Sequence, residues 1–123
     1  AVGKSGKLRF VPFSDPGHAM SAFLESLRNV EGISRFDAVI LDHDEGRFLD
    51  DLKIILEMDF LRPGGMVYDD NVKRKAAALS SYLDFVKTES GNGFQTNIMN
   101  INRPYPDAVA ISIFKPVTRG TEF

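Results

Sequence analysis

Acidic and amide side chains follow two apolar segments of this chain at the points where strands should end. Asp42 comes directly after the apolar run Phe36–Leu41, and the pair Asp70 and Asn71 follows the run 66–68. Neighbouring parallel strands lie about 4.8 Å apart and end at the same edge of a sheet, so these side chains should converge. Carboxylate and carboxamide oxygens suit Mg²⁺, which keeps several waters that a substrate can displace. Asp and Asn also form turns and cap helices, so a purely structural role is the alternative from spacing alone.

These side chains can converge only if the two strands are neighbours in one sheet. The rest of the sequence predicts such a sheet, in a layered α/β domain. Apolar residues at helical spacing alternate with strand-like runs in the order β-α-β-α-β-α-β-β. This order predicts three parallel strands with crossover helices, followed by an antiparallel hairpin. The predicted strands are Leu8–Phe13, Phe36–Leu41, Met66–Tyr68, Phe94–Ile101 and Ala108–Phe114, and LRPGG (61–65) is predicted to be a tight turn.

The composition predicts a single soluble domain covering residues 1–123. Hydrophobic residues make up 43% of the chain, which is enough for a modest core, and the net charge is -2. Without a polybasic region, nucleic acid is not expected as a partner, and no apolar run approaches the roughly 20 residues of a membrane span. The absence of cysteine excludes disulfides and thiolate metal sites. The chain begins at Ala1, which is compatible with a removed presequence and with a place in the cytoplasm or an organelle interior.

Three stretches together resemble the second half of the class I S-adenosylmethionine-dependent methyltransferases. They are FDAVILDH (36–43), LRPGG (61–65) and YDDNV (68–72), and the resemblance extends from Leu8 to Lys115. The combination of LDH closing one strand and DN closing the next is most similar to the metal-dependent catechol O-methyltransferase family. The resemblance implies a partial Rossmann-like sheet that lacks the first two strands of the family.

The resemblance also implies a role for particular residues. In that family a Mg²⁺ ion binds both oxygens of a catechol, lowers the pKa of one hydroxyl and orients the oxyanion toward the methyl group of S-adenosylmethionine. The residues assigned in this way are Asp42, Asp70 and Asn71 for the metal, and His43, Ser14 and Asp15 for the methyl donor.

Two features depart from the family pattern. The family's lysine base, three residues after the metal-binding aspartate, is replaced by Glu45, which can accept a proton but adds negative charge beside Asp42 and Asp44. The resemblance begins at the third strand of the family, so the glycine-rich turn of the donor site is absent from these residues. The loss leaves Leu8–Phe13 and Val39–Leu41 as open strand edges, which predicts a protein partner or a missing chain segment there.

Two functions follow as hypotheses, and whether the chain is an enzyme stays open at this point. It is either the metal- and substrate-binding half of an O-methyltransferase, active once a donor-binding half is supplied, or a non-catalytic accessory or scaffold subunit derived from one. The triplet DHD (42–44) also resembles the Asp-x-Asp of metal-dependent sugar transferases. That signal is short enough to recur by chance, and we rank it below the other two.

Overall fold

The computed structural model describes residues 9–13, 20–42, 45–70, 72, 75–102 and 106–116. Its helices are α1 (Met20–Asn29), α2 (Phe48–Glu57) and α3 (Ser80–Val86), with short 3-10 turns at Glu45–Arg47 and Thr88–Ser90. Its strands are β1 (Phe36–Leu41), β2 (Leu61–Asp69), β3 (Phe94–Ile101) and β4 (Asp107–Phe114). Among the helices of these residues, none is long and apolar enough to cross a membrane.

The four strands form one mixed sheet in the order β1-β2-β4-β3. β1 and β2 are parallel and are connected through α2, while β4 runs antiparallel to both β2 and β3. A connection of the length of NRPYPD is too short for a crossover helix, which is why β3 and β4 pair as a hairpin. The predicted α/β class and the antiparallel hairpin are confirmed.

The hydrophobic core lies between the helices and one face of the sheet. Each helix contributes apolar residues at helical spacing, such as Leu24 of α1 and Leu52 of α2, and both of these are fully buried. The sheet contributes Leu41 and Val67 to the same cluster. Burying one such side chain stabilises the fold by about 1.5–3 kcal/mol. All three helices therefore cover a single face of the sheet.

The opposite face of the sheet is much more exposed. Side chains alternate across a strand, so the neighbours of the core residues point away from the helices. The row Ile40, Tyr68 and Ile111 runs across three strands on this face. Ile40 is 61% exposed, and the other two are half-buried. Parallel strands are normally covered by helices on both faces of the sheet. The parallel pair β1 and β2 is unusual because no described helix covers its second face.

The stretch LRPGG does not form the predicted turn, because it lies inside β2 as a bulge. Leu61 pairs with Phe36, but the next pair is Met66 with Ala38, so three extra residues are accommodated in β2. Gly65 fits here because a Cβ on it would lie 2.7 Å from the backbone oxygen of Arg62. The Pro-Gly-Gly sequence therefore forms a bulge that bends β2, and the strand continues after it.

The predicted first strand at Leu8–Phe13 is wrong for its described part. Residues 9–13 have no strand structure, and Leu8 lies outside the described residues. A strand needs a neighbour to accept its backbone hydrogen bonds, and the described sheet ends at β1. Val11 and Phe13 instead pack against the core through their side chains, and the Phe13 ring lies 4.6 Å from that of Phe23.

Candidate functional site

Two of the predicted metal ligands lie at neighbouring strand ends. Leu41, the last residue of β1, pairs with Asp69, the last residue of β2, so Asp42 and Asp70 are the next residues on adjacent parallel strands. Asp42 is exposed and Asp70 is half-buried, so both carboxylates are within reach of solvent. This edge is the carboxyl end of the parallel strands, where open α/β sheets bind their ligands.

Four of the predicted site residues lie outside the described part of the chain. They are the metal candidate Asn71 and the donor-site candidates His43, Ser14 and Asp15. Among the described residues, no group of three or more His, Asp or Glu side chains is arranged to hold a metal ion. The predicted triad contains only two such residues, Asp42 and Asp70, with a carboxamide as the third ligand. The metal assignment therefore stays a prediction, although the oxygen donors that are described suit Mg²⁺.

A buried carboxyl group lies directly beneath these strand ends. Asp69 is 1% exposed, and its Oδ2 atom has no hydrogen-bond partner among the described residues. Burial and, to a smaller extent, the nearby carboxylates of Asp70, Glu45, Asp42 and Asp107 together raise its pKa to about 7. Five acidic groups are thus concentrated at one end of the sheet, and one of them is held where its charged form is unfavourable.

Tyr82 of α3 extends the buried polar region below Asp69. It is 1% exposed, its hydroxyl has no hydrogen-bond partner among the described residues, and its ring meets that of Phe48 edge-on at 5.7 Å. Burial raises the pKa of this phenol, and the negative charge of Asp69 adds to the effect. The Oδ2 atom of Asp69 and the hydroxyl of Tyr82 are both buried without a described hydrogen-bond partner, and the two residues interact electrostatically. An internal water is the usual partner of such groups.

Glu45, the predicted catalytic base, is paired with a lysine in the structure. Lys75 follows β2, and its Nζ atom lies 3.4 Å from Oε1 of Glu45. The two side chains connect the segment after β1 to the segment after β2, which are the segments that carry the predicted ligands. The catalytic role of Glu45 stays a prediction, but its negative charge is partly balanced by Lys75.

Sequence reasoning missed Asp69, Tyr82 and Lys75. The alternation of β2 carried a signal for Asp69, since it lies two residues after the buried Val67 and therefore points to the same face. Tyr82 lies at helical spacing with apolar residues of α3, but its proximity to a carboxylate depends on how α3 packs. The partner of Lys75 is 30 residues away in sequence and has no local signature.

Comparisons with known proteins identify the fold. A Mycobacterium tuberculosis protein, Rv1703c, whose name describes it as an O-methyltransferase, is 37% identical over 60 residues, which are 49% of this chain and 25% of that protein. A Klebsiella pneumoniae protein whose crystal structure is described as that of an O-methyltransferase superposes with a TM-score of 0.58 at 17% identity. The match covers 76% of this chain and 46% of that one. No family model matches the chain.

A second solved structure gives the same result with a methyl donor bound. The O-methyltransferase TomG from Streptomyces achromogenes, involved in tomaymycin synthesis and solved in complex with SAM, superposes with a TM-score of 0.59 at 17% identity. It too is matched over 76% of this chain and 46% of its own length. The chain therefore has the fold of the O-methyltransferases, and it spans about half the length of the solved structures that it matches.

Proposed function

We propose that this chain is the metal- and substrate-binding half of an S-adenosylmethionine-dependent O-methyltransferase that acts on a catechol-like hydroxyl. The observation that carries the proposal is the pairing of Leu41 with Asp69, because it brings Asp42 and Asp70 to adjacent strand ends. Asn71, the next residue along, would complete an oxygen-only set of ligands. The O-methyltransferase fold of the matched structures supports the class of reaction.

The chemistry divides between the ion and the side chains of the chain. When bound, a divalent cation acts as a Lewis acid that lowers the pKa of a substrate hydroxyl. The carboxylates of Asp42 and Asp70 would fix the position of that cation at the strand ends. Glu45 would accept the hydroxyl proton on its carboxylate, and Lys75 would hold Glu45 at the edge of the site through their ion pair. Contacts with the methyl donor would fall to His43, Ser14 and Asp15, as the family resemblance implies.

Calorimetric titration with Mg²⁺ tests the metal part of this proposal. We expect the parent chain to give a saturable heat, and we expect Asp70→Ala to remove it. Asp84→Ala is the matched control, because Asp84 is an exposed aspartate on α3 whose charge is paired with Lys87 at 3.4 Å. Equal heats from the parent, Asp70→Ala and Asp84→Ala would contradict the metal site. Difference absorbance, which monitors the binding of catechol, tests the substrate class. We expect catechol to bind only when Mg²⁺ is present.

A non-catalytic accessory or scaffold subunit is the second candidate. The ion pair between Glu45 and Lys75 favours it, since it occupies a carboxylate that a proton-accepting base would need to keep available. A chain that unfolds cooperatively but gives no Mg²⁺ heat and no Mg²⁺-dependent catechol binding would support this candidate over the enzyme. A saturable heat that Asp70→Ala removes would exclude it as the sole function.

A further inference from the structure

The outer edge of β3 is a free strand edge, at the opposite side of the sheet from β1. In the part of the chain that the structure describes, β3 (Phe94–Ile101) pairs only with β4, over eight residues in one unbroken register. Natural proteins protect long edge strands of this kind with charged side chains, a proline or a bulge. β3 has none of these features. Its outer edge is therefore able to accept another strand.

The hydrogen bonds around β3 show which of its backbone groups face outward. The amide of Lys115 donates to the carbonyl of Gly93 at 2.6 Å, so Gly93 faces the β4 side. Successive residues of an antiparallel strand turn their N–H and C=O groups to alternate sides. Thr96, Ile98 and Asn100 therefore face outward, and the residues between them face β4.

One of these outward positions is already occupied. Thr88, in the 3-10 turn that precedes β3, accepts a hydrogen bond at its Oγ1 atom from the amide of Thr96, at 3.0 Å. No described residue forms a hydrogen bond with the outward backbone groups of Ile98 and Asn100. The free part of the edge is therefore short and consists of residues 98–100.

The side chains around this free segment are uncharged and exposed on both faces of the sheet. Ile98 shares the face of the helices with Leu41 and is 57% exposed. Met99 lies on the other face and is 52% exposed, and Ile101 lies on the same face as Met99. Phe94, at the start of β3, is buried in the core. Exposed apolar side chains beside unpaired backbone groups are typical of a contact with another chain.

The free segment is complementary to itself about a two-fold axis at Met99. Antiparallel pairing about this axis places Ile98 opposite Asn100 of a second copy, and their outward N–H and C=O groups bond each other reciprocally. A pairing centred on Ile98 would instead require the amide of Thr96, which already donates to Thr88. The contact with Thr88 thus selects the register in which the outward groups of both free residues are satisfied.

The same register brings the exposed apolar side chains together. Met99 faces Met99 of the second copy in a pair without hydrogen bonds, in which the Cα atoms lie about 4.5 Å apart. Ile101 lies diagonally across from Met99 of the second copy, within reach of a long side chain. β3 has no charged residue, so no like charges meet across the axis. A charged peptide, by contrast, would find no opposite charge on this strand.

We infer that two copies of this chain associate through residues 98–100, which pair as antiparallel strands about a two-fold axis at Met99. The two sheets then form one continuous sheet. The inference does not rest on the proposed function. β4 separates β3 from the strands that carry Asp42 and Asp70, so the association leaves those strand ends accessible.

Sedimentation equilibrium at increasing concentration tests the association. We expect the parent to reach the mass of a dimer. Met99→Lys should stay a monomer at concentrations at which the parent is a dimer, because it places two like charges opposite each other at the axis. Met99→Glu should do the same. An equimolar mixture of the two variants should regain the dimer, since opposite charges then face each other.

Ile40→Lys is the matched control. Ile40 is also an exposed apolar residue on an edge strand and on the same face of the sheet as Met99, but it belongs to β1. We expect it to form the dimer like the parent, and all variants should unfold cooperatively. The inference is overturned if the parent stays a monomer, if Met99→Lys keeps the dimer, or if the mixture stays monomeric. A dimer that only Ile40→Lys removes would also overturn it and would assign the contact to β1.

Hydrogen exchange distinguishes strand pairing from any other contact between two copies. The amides of Ile98 and Asn100 should exchange about tenfold more slowly in the parent dimer than in monomeric Met99→Lys. The amide of Thr96, which is bonded to Thr88 in both, should change little. Equal exchange of the Ile98 and Asn100 amides in the two proteins would contradict the pairing. Met99→Lys should also give the same Mg²⁺ heat as the parent, so the association and the metal site can fail separately.

Discussion

Replacing Asp69 with asparagine should make the stability of the fold less dependent on pH. The carboxyl of Asp69 is buried, and its pKa rises from 3.8 to about 7 in the folded chain. Well below pH 4 the group is neutral in both states, so it does not oppose folding. As the pH rises from about 4 to about 7, the unfolded chain ionises this group more readily than the folded chain, so the folded chain loses stability, and the loss levels off above the folded pKa. Asparagine cannot ionise and should not show this loss.

The size of the effect follows from the two pKa values. The full difference corresponds to about 4 kcal/mol at high pH, and the part that develops between about pH 5 and about pH 8 is about 2 to 3 kcal/mol. Urea unfolding followed by circular dichroism, in the presence of a chelator, measures the free energy of unfolding at each pH. The other titrating groups contribute equally to the free energies of unfolding of Asp69→Asn and the parent, so they cancel in the difference between the two. This difference should grow in favour of the variant as the pH rises from about 5 to about 8.

Asp59→Asn is the control for the pH experiment. Asp59 is exposed and forms an ion pair with Arg35 at 2.6 Å. The free energy of unfolding of Asp59→Asn, relative to the parent, should therefore not rise with pH by a comparable amount. The reasoning is refuted if the advantage of Asp69→Asn is constant or shrinks as the pH rises. Adding Mg²⁺ should reduce the pH dependence of the parent if a cation binds near Asp69.

Three further substitutions test the packing around the site. Tyr82→Phe removes a buried hydroxyl without a described partner, so thermal unfolding should show equal stability or a gain of up to about 1 kcal/mol, and a loss above that would mean that the hydroxyl is hydrogen-bonded. Gly65→Ala forces a contact with the backbone of Arg62, so urea unfolding should show a loss of about 1–3 kcal/mol, whereas an unchanged midpoint would contradict the tight bulge. Lys75→Gln breaks a partly exposed ion pair with Glu45, so it should cost at most about 1 kcal/mol, and a larger loss would show a buried role.

The elements with strong local patterns could be predicted from the sequence. The run Phe36–Leu41, apolar apart from Asp37, forms β1 as expected, and the runs flanking NRPYPD form β3 and β4 within one residue of the predicted ends. The α1 helix ends before Gly32, which adopts a positive φ of 73° as a residue just past a helix end. The convergence of Asp42 and Asp70 followed from the parallel pairing of β1 with β2. These features depend on side-chain period and on short connections, which are local.

The parts that could not be predicted depend on distant neighbours. LRPGG has the composition of a turn, and only its position beside β1 makes it a bulge. Residues 9–13 have a strand-like composition, but none of the described strands pairs with them. The raised pKa of Asp69 and the ion pair of Glu45 with Lys75 arise from packing between segments that are separated in sequence. Sequence patterns therefore predicted which strand ends lie side by side, and tertiary contacts determine the electrostatics there.

Paramagnetic broadening by Mn²⁺ is the most direct measurement of whether Asp42 and Asp70 bind one divalent ion together. Mn²⁺ takes the same oxygen ligands as Mg²⁺ and broadens the amide signals of nearby residues. We predict that substoichiometric Mn²⁺ broadens the amide signals of Asp42 and Asp70 first and equally, and that excess Mg²⁺ restores both. Broadening centred on other acidic residues, such as Asp84, or on only one of the two strand ends, would contradict the shared site.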